Sequence, residues 1–83
     1  MIANWLSPDT NVFKTVADAM NVARDMDMSW LAIDGTGEVY ASEHKPKAHC
    51  NYALWIWLFD ERPVRIGWYD LDGKDWRDCV WEM

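Results

Sequence analysis

The chain has 83 residues, 51% of them hydrophobic, and its 14 acidic residues outweigh 8 basic ones to give a formal net charge of −6. Only one hydrophobic core fits in so short a chain, which predicts a single domain over residues 1–83. The acidic balance argues against direct binding to nucleic acid or to an anionic membrane, because both depend on Lys and Arg.

The first predicted element is an amphipathic helix over residues 10–26. Residues 7–10 read SPDT, a typical helix start, because Ser, Asp or Thr can cap the helix and Pro suits its first turn. Polar residues fall on one side, so the other side is expected to pack on another element. The apolar residues recur at helical spacing, at Val12, Val16, Met20 and Ala23.

A change to strand-like patterning predicts a β-hairpin made of residues 30–34 and 38–42. Asp34, Gly35 and Gly37 supply turn conformations that β-branched residues cannot adopt. In the predicted register, Ile33 faces Glu38. Residues 43–51 contain a proline between two lysines and predict an exposed loop, a common location for binding residues.

Residues 51–70, NYALWIWLFDERPVRIGWYD, predict a second hairpin whose strands flank the sequence DERP. The first strand is apolar on both sides, which favours a central position in the sheet. One face of the hairpin is expected to form the core beneath the helix, and the other face is mixed in polarity. With Trp55 opposite Trp68, the apolar face comprises Trp55, Trp57, Phe59, Val64, Ile66 and Trp68.

The end of the chain predicts a turn and one more short element. Residues 70–75, DLDGKD, are typical of a turn, and a last strand is predicted near Cys79–Glu82, with a partly helical tail as the alternative. The predicted fold is an α+β domain in which one N-terminal helix packs on an antiparallel sheet of four to five strands, in two layers.

The residues with catalytic or metal-binding chemistry form no strong motif. The DLDGKD turn lacks the carboxylates that a calcium loop needs at its first and twelfth positions. A chain of this length also has little volume for a substrate pocket. We therefore predict no enzyme activity and no cofactor. A zinc site is the alternative. Its four ligands would be two histidines and two cysteines, His44, His49, Cys50 and Cys79, although their spacing lacks the C-x2-C knuckle that many zinc sites have.

A surface interaction is the remaining class of function. Aromatic anchors within a charged rim are typical of protein interfaces, and acidic residues here cluster beside aromatic ones. Ordinary solubility is the alternative explanation for the acidic residues. Trp5, Trp76 and Trp81 lie near the termini and are the tryptophans best placed to face a partner. The predicted partner-binding residues are Asp60, Glu61, Arg65, Tyr69, Asp70, Asp72, Asp75, Trp76, Asp78 and Trp81.

Three pieces of the sequence carry a resemblance to a known class of protein. They are WLAIDGTGEVYA at Trp30–Ala41, the pair Lys45-Pro46, and DWRDCVWE at Asp75–Glu82, and they follow an alanine-rich predicted helix. This order of parts resembles small accessory proteins of tailed bacteriophages. The resemblance implies action in a bacterial cytoplasm and raises the expectation that the protein binds a host protein.

The predicted function is that of a small acidic accessory protein that binds a host bacterial protein and modulates or inhibits it. A nucleic-acid-handling host protein is one candidate, because an acidic surface can imitate the charge of DNA. The start of the chain lacks a basic segment followed by an apolar run, so no signal peptide is predicted and a cytoplasmic location is expected. The alternative is a structural or assembly module that forms a homodimer through the mixed sheet face.

Overall fold

A five-stranded mixed sheet forms the centre of the structure, a computed structural model that describes residues 11–49, 51–57 and 62–83. The elements are β1 (Val12–Phe13), α1 (Val16–Asp25), β2 (Trp30–Ile33), β3 (Glu38–Ser42), β4 (Lys47–Ala48), β5 (Trp55–Ile56), β6 (Val64–Tyr69) and β7 (Val80–Glu82). In space the large sheet has the order β1-β6-β3-β2-β7, and β4 pairs with β5 separately. The α+β class is confirmed, but the sheet is not purely antiparallel, because β1 runs parallel to β6.

Helix α1 begins later than the sequence predicts. Thr15 caps it, and the Thr15 hydroxyl accepts a hydrogen bond from the backbone N–H of Asp18 at 3.1 Å. The preceding apolar residues form β1 instead, where the N–H of Trp68 donates to the carbonyl of Asn11 at 2.8 Å. Helical spacing alone could not separate these residues from the helix, since their partner strand lies far along the chain. The predicted cap at 7–10 lies outside the described residues.

The main core lies between α1 and one face of the sheet, here called the inner face. Ala19 and Ala23 of the helix are fully buried, and small side chains at these positions let the helix approach the sheet closely. Strand alternation supplies the other half of the core. The sheet residues in this cluster are Phe13, Leu31, Ile33, Val39, Ala41 and Ile66.

The first predicted hairpin is confirmed, in a register one residue away from the predicted one. Ile33 pairs with Val39 rather than with Glu38. The reason is the turn: the N–H of Asp34 still donates to the carbonyl of Glu38 at 3.0 Å, so only Gly35–Gly37 make the reversal. Gly37 has a φ of +93°, which a glycine adopts without strain.

The predicted second hairpin is wrong. Trp55 lies opposite Ala48 in the two-stranded sheet, whereas Trp68 lies opposite Glu38 and β6 fills the space between β1 and β3. An alternating pattern identifies a strand but does not choose its partner, and β3 is a longer partner for β6 than β5 is. The single apolar face and the central position of the first strand are wrong for the same reason: Val64 is 37% exposed. Phe59 lies outside the described residues.

The face of the large sheet away from α1, here called the outer face, is mixed in polarity. Residues 43–49 and 51–57 pack on part of it. The predicted exposure of residues 43–51 is confirmed for most of the described residues, but the segment is not wholly irregular or exposed, because β4 forms there and Pro46 is fully buried. The strand registers place on the outer face Trp30, Ala32, Glu38, Tyr40, Ser42, Arg65, Trp68, Val80 and Glu82.

The last predicted turn and strand are confirmed. The N–H of Lys74 donates to the carbonyl of Leu71 at 2.9 Å and closes the turn. A short 3-10 helix, Trp76–Asp78, precedes β7, so the segment contains both the helical piece and the strand that its sequence left as alternatives. β7 then pairs along β2 and forms an edge of the sheet.

Gly67 lets β1 approach β6, and its replacement gives a first testable prediction. A Cβ atom at this position would overlap the carbonyl of Asn11 and lie 2.8 Å from the ring of Phe13. We expect Gly67→Ala to lower the free energy of unfolding by about 2 kcal/mol, a loss limited because a short edge strand can detach. Urea denaturation followed by tryptophan fluorescence measures it. Val64→Ala, at an exposed position of the same strand, is the control, and equal losses in the two variants would contradict this role.

Candidate functional site

Trp57 attaches residues 51–57 to the outer face. Its indole N–H donates to the hydroxyl of Ser42 at 2.8 Å, and its ring lies 5.7 Å from the ring of Tyr40 at an angle of 57°. Ser42 is buried and its hydroxyl donates to the carbonyl of His44 at 2.9 Å, so the polar atoms in this contact are satisfied. The indole is therefore both an anchor and part of an aromatic wall.

A cavity of about 360 Å³ opens between this segment and the hairpin of β2 and β3. Its walls are mostly aromatic and aliphatic, with one carboxylate among them. The rim is apolar as well, since Leu54 and Ile56 are each more than a third exposed. The lining residues are Asp34, Tyr40, Leu54, Trp55, Ile56, Trp57 and Pro63.

Asp34 is the charged group of the cavity, and it is only 6% exposed. One carboxylate oxygen accepts the backbone N–H of Trp55 at 2.8 Å. Burial raises the pKa of Asp34 to about 6, the hydrogen bond from Trp55 opposes that rise, and the nearby negative charge of Glu38 adds to it. The carboxylate is therefore mostly ionised at neutral pH, in a buried position that disfavours the charged form.

Glu38, in contrast, has a cation and a hydroxyl as partners. The guanidinium of Arg65 lies 3.2 Å from its Oε2, and the hydroxyl of Tyr40 donates to the same oxygen at 3.1 Å. Burial, followed by this hydrogen bond, raises the pKa of Tyr40 to about 12, so the phenol stays protonated. The two carboxylates of the hairpin thus differ: Glu38 is paired with a cation, and among the described residues no cation bonds to Asp34.

Trp55 connects the cavity to the C-terminal acidic segment, defined here as residues 70–78. Its indole N–H donates to the carbonyl of Ile33 at 2.9 Å, and its ring meets the ring of Trp76 edge to face, with centroids 5.4 Å apart. Trp55 is buried and Trp76 is half-buried. The two rings form a continuous aromatic contact from the cavity wall to the acidic segment.

The acidic segment presents four exposed carboxylates, from Asp70, Asp72, Asp75 and Asp78. Two of them shape the backbone: Asp70 Oδ1 accepts the N–H of Asp72 at 2.9 Å, and Asp75 Oδ1 accepts the N–H of Arg77 at 3.0 Å. Each of these acceptors leaves a second oxygen on the same carboxylate. Asp70 and Asp75 therefore stabilise the turns of the segment and also contribute negative charge to its surface.

The structure distributes the predicted partner-binding residues that it describes among the outer face, the inner core and the acidic segment. Arg65 is half-buried on the outer face beside Glu38, and its guanidinium lies over the ring of Trp68 at 5.8 Å. Tyr69 is half-buried and packs against the inner core, and its hydroxyl accepts a hydrogen bond from Lys74 at 3.1 Å, which raises the pKa of that lysine. The acidic segment supplies the others, apart from three: Trp81 packs against the inner core, and Asp60 and Glu61 lie outside the described residues.

The described residues do not form the zinc site that was considered as an alternative. No group of three or more His, Cys, Asp and Glu side chains in that part of the chain could hold a metal ion. Cys79 is buried in the inner core, and burial raises the pKa of its thiol. Cys50 lies outside the described residues. In the same part of the chain, no helix has the length and apolar character needed to cross a bilayer.

Asp34 and Tyr40 are the site residues that sequence reasoning missed. Asp34 ends an apolar strand and precedes a glycine, so it was interpreted as a turn residue. The signal that distinguishes it, burial by Trp55, depends on a contact across 21 positions. A sequence pattern does not carry that information.

Comparison with protein-family models, with curated proteins and with solved structures gives no match. The function is therefore inferred from the residues and geometry of this chain.

Proposed function

We propose that the protein is a small acidic accessory protein, of the kind made by tailed bacteriophages, that binds a basic surface on a host bacterial protein and modulates or inhibits it. The acidic segment, with the adjoining outer face, is the proposed contact surface. A host protein that handles nucleic acid is the preferred partner class, because its nucleic-acid site is a ready-made basic surface.

The Trp55–Trp76 contact is the observation that carries the proposal. It supports the half-buried ring of Trp76, a large amphipathic side chain in the same segment as four exposed carboxylates. A buried or half-buried aromatic anchor surrounded by polar residues is the usual arrangement of a protein interface. Arg77 and Lys74 are exposed and lie over the rings of Trp76 and Tyr69, so the segment carries four negative charges and two positive ones and stays net negative.

A homodimer is the alternative function. It was expected to form through a mixed sheet face, and the outer face is mixed, but residues 43–49 and 51–57 pack on part of that face. The area left for a second copy is smaller for that reason. Sedimentation equilibrium measures the mass directly: a concentration-independent dimer would favour this alternative over the proposal.

The proposal predicts a salt-sensitive capture that depends on the acidic segment. Purified protein is immobilised and exposed to bacterial lysate at low salt and at about 0.5 M salt, and retained proteins are identified by mass spectrometry. We expect one host protein to be retained at low salt and to be released at high salt, because exposed charge pairs are screened.

A matched pair of variants tests whether the negative charge of the acidic segment, rather than the net charge of the protein, retains the partner. Replacing Asp72, Asp75 and Asp78 with Asn keeps an oxygen acceptor at the turn position of Asp75 and removes three negative charges. The control removes three charges elsewhere, through Asp18→Asn, Asp25→Asn and Asp27→Asn, all at exposed positions on or just after α1. The first variant is expected to lose the partner and the control to keep it. Equal retention by both would defeat the proposal.

A further inference from the structure

We propose that the cavity beside Asp34 receives a basic side chain, the ammonium of a lysine or the guanidinium of an arginine, from the bound partner. This inference rests on the proposed function, since it names the group that enters from the partner's basic surface. Three features of the cavity support it: the unpaired carboxylate, the rings around it, and the shape of the rim.

Asp34 has one carboxylate oxygen to offer. Its Oδ1 accepts the N–H of Trp55, and its other oxygen makes no hydrogen bond within the described residues. Among the described residues, every fully buried side-chain oxygen has a hydrogen-bond partner. The second oxygen of Asp34 has none, so it is not fully buried, and it faces the cavity that Asp34 lines. Buried charges in proteins are normally paired, and here the pairing cation is missing from the described chain.

No cation of the described residues lies over a ring face of the cavity, and Arg65, which acts on Tyr40 electrostatically, is paired with Glu38. Elsewhere in the described structure four cations lie over aromatic rings: Lys45 over Trp30, Arg65 over Trp68, Lys74 over Tyr69 and Arg77 over Trp76. The three rings of the cavity, those of Tyr40, Trp55 and Trp57, carry none of these. A ring face attracts a cation most strongly where water is partly excluded, as it is beside a buried carboxylate.

The rim fits the rest of a basic side chain. Lysine and arginine carry an aliphatic stem behind the charge, and such stems pack on apolar surface. Leu54, Ile56 and Pro63 provide that surface at the cavity walls, while Asp34 lies 6% exposed. The cavity, of about 360 Å³ and open to solvent, can receive one such side chain. A neutral apolar side chain would fill the same space but leave the carboxylate unpaired.

The test uses single capped amino acids as probes, so it does not depend on knowing the partner. The probes are Nα-acetyl-lysine N-methylamide, the corresponding arginine derivative, and the norleucine derivative as a neutral control. Binding is followed by the NMR shifts of the indole N–H signals of Trp55 and Trp57. We expect saturable shifts with at least one cationic probe, with a Kd on the order of millimolar, and binding at least about tenfold weaker for norleucine. The tighter of the two cationic probes identifies the preferred side chain.

Asp34→Asn supplies the decisive comparison. The amide oxygen that this substitution introduces can still accept the N–H of Trp55, so the fold is kept while the charge is removed. In this variant the advantage of the cationic probes over norleucine should disappear, whereas Asp25→Asn, on the exposed side of α1, should retain it. Equal binding of norleucine and the cationic probes to the wild-type protein, or no saturable shift with either cation, would overturn the inference.

The two proposals fail in different ways. If the lysate experiment retains no partner but the cationic probes bind with dependence on Asp34, the partner surface is wrong and the cation site stands. If the acidic segment captures a partner and the probes do not bind, the partner surface stands and this cavity is not its side-chain receptor.

Discussion

Asp34→Asn is expected to raise the free energy of unfolding at pH 7 by up to about 3 kcal/mol, although it removes a hydrogen-bonded carboxylate. The cause is the raised pKa: Asp34 titrates near 6 in the folded protein against 3.8 for an ordinary aspartate. Keeping this group ionised in a buried place works against folding. A neutral amide of the same shape retains the acceptor for the Trp55 N–H and avoids that penalty.

The pH dependence has a definite sign. Between about pH 4 and pH 6 the folded protein binds more protons at Asp34 than the unfolded chain does, so the wild-type protein loses stability from this group as pH rises through that range. Below that range the group is protonated in both states, and above it the group is ionised in both. The difference in stability between Asp34→Asn and wild type should therefore be small at low pH and reach its full value near pH 7.

Urea denaturation at a series of pH values measures this difference. Asp25→Asn is the control, because it changes the net charge by the same amount at an exposed position and should shift the unfolding free energy by less than about 0.5 kcal/mol at every pH. A destabilised Asp34→Asn protein at pH 7 would mean that the ionised carboxylate has a favourable partner, and would count against the unpaired charge on which the cation site depends.

Local signals in the sequence were sufficient for the elements that depend on local contacts. Helix α1 and the hairpin of β2 and β3 are built from neighbouring residues, and both form where predicted, apart from the late helix start at Thr15 and the hairpin register. The register shift has a small origin: the hydrogen bond between Asp34 and Glu38 leaves three residues, 35–37, in the turn, where the predicted register left two. Such a bond is decided by geometry that composition does not reveal.

The second half of the sheet depends on contacts between distant segments, and there the sequence pattern was insufficient. β6 pairs with β3 and β1 rather than with its predicted neighbour, so the apolar residues of 53–57 lose their expected place under the helix. The site residues follow from the same rearrangement: Asp34 becomes a cavity carboxylate because Trp55 lies over it. The predicted acidic segment needed no distant partner to be found, since exposed charge in a turn is a local property.

Trp55 is the residue on which this rearrangement depends, and its removal should be the most destabilising single change considered. The indole is 8% exposed, donates to the carbonyl of Ile33 at 2.9 Å and supports the ring of Trp76. Trp55→Ala leaves a cavity and an unsatisfied carbonyl, for which we expect a loss of about 3–5 kcal/mol. Tyr52→Ala, three positions earlier and 64% exposed, is the control and should cost less than about 0.5 kcal/mol.

The pattern of the loss separates two roles for Trp55. If the indole only fills space, Trp55→Ala should weaken the whole fold evenly. If it fastens residues 51–57 to the hairpin, hydrogen exchange should first quicken at the N–H groups of Gly35 and His49, which donate to Ala53 and Leu54, while the N–H groups between β2 and β3 stay protected. We expect the second result, because the contacts of Trp55 lie on the side of the sheet away from the helix. A stable Trp55→Ala protein, equal to Tyr52→Ala, would show that the tryptophan is dispensable for the fold.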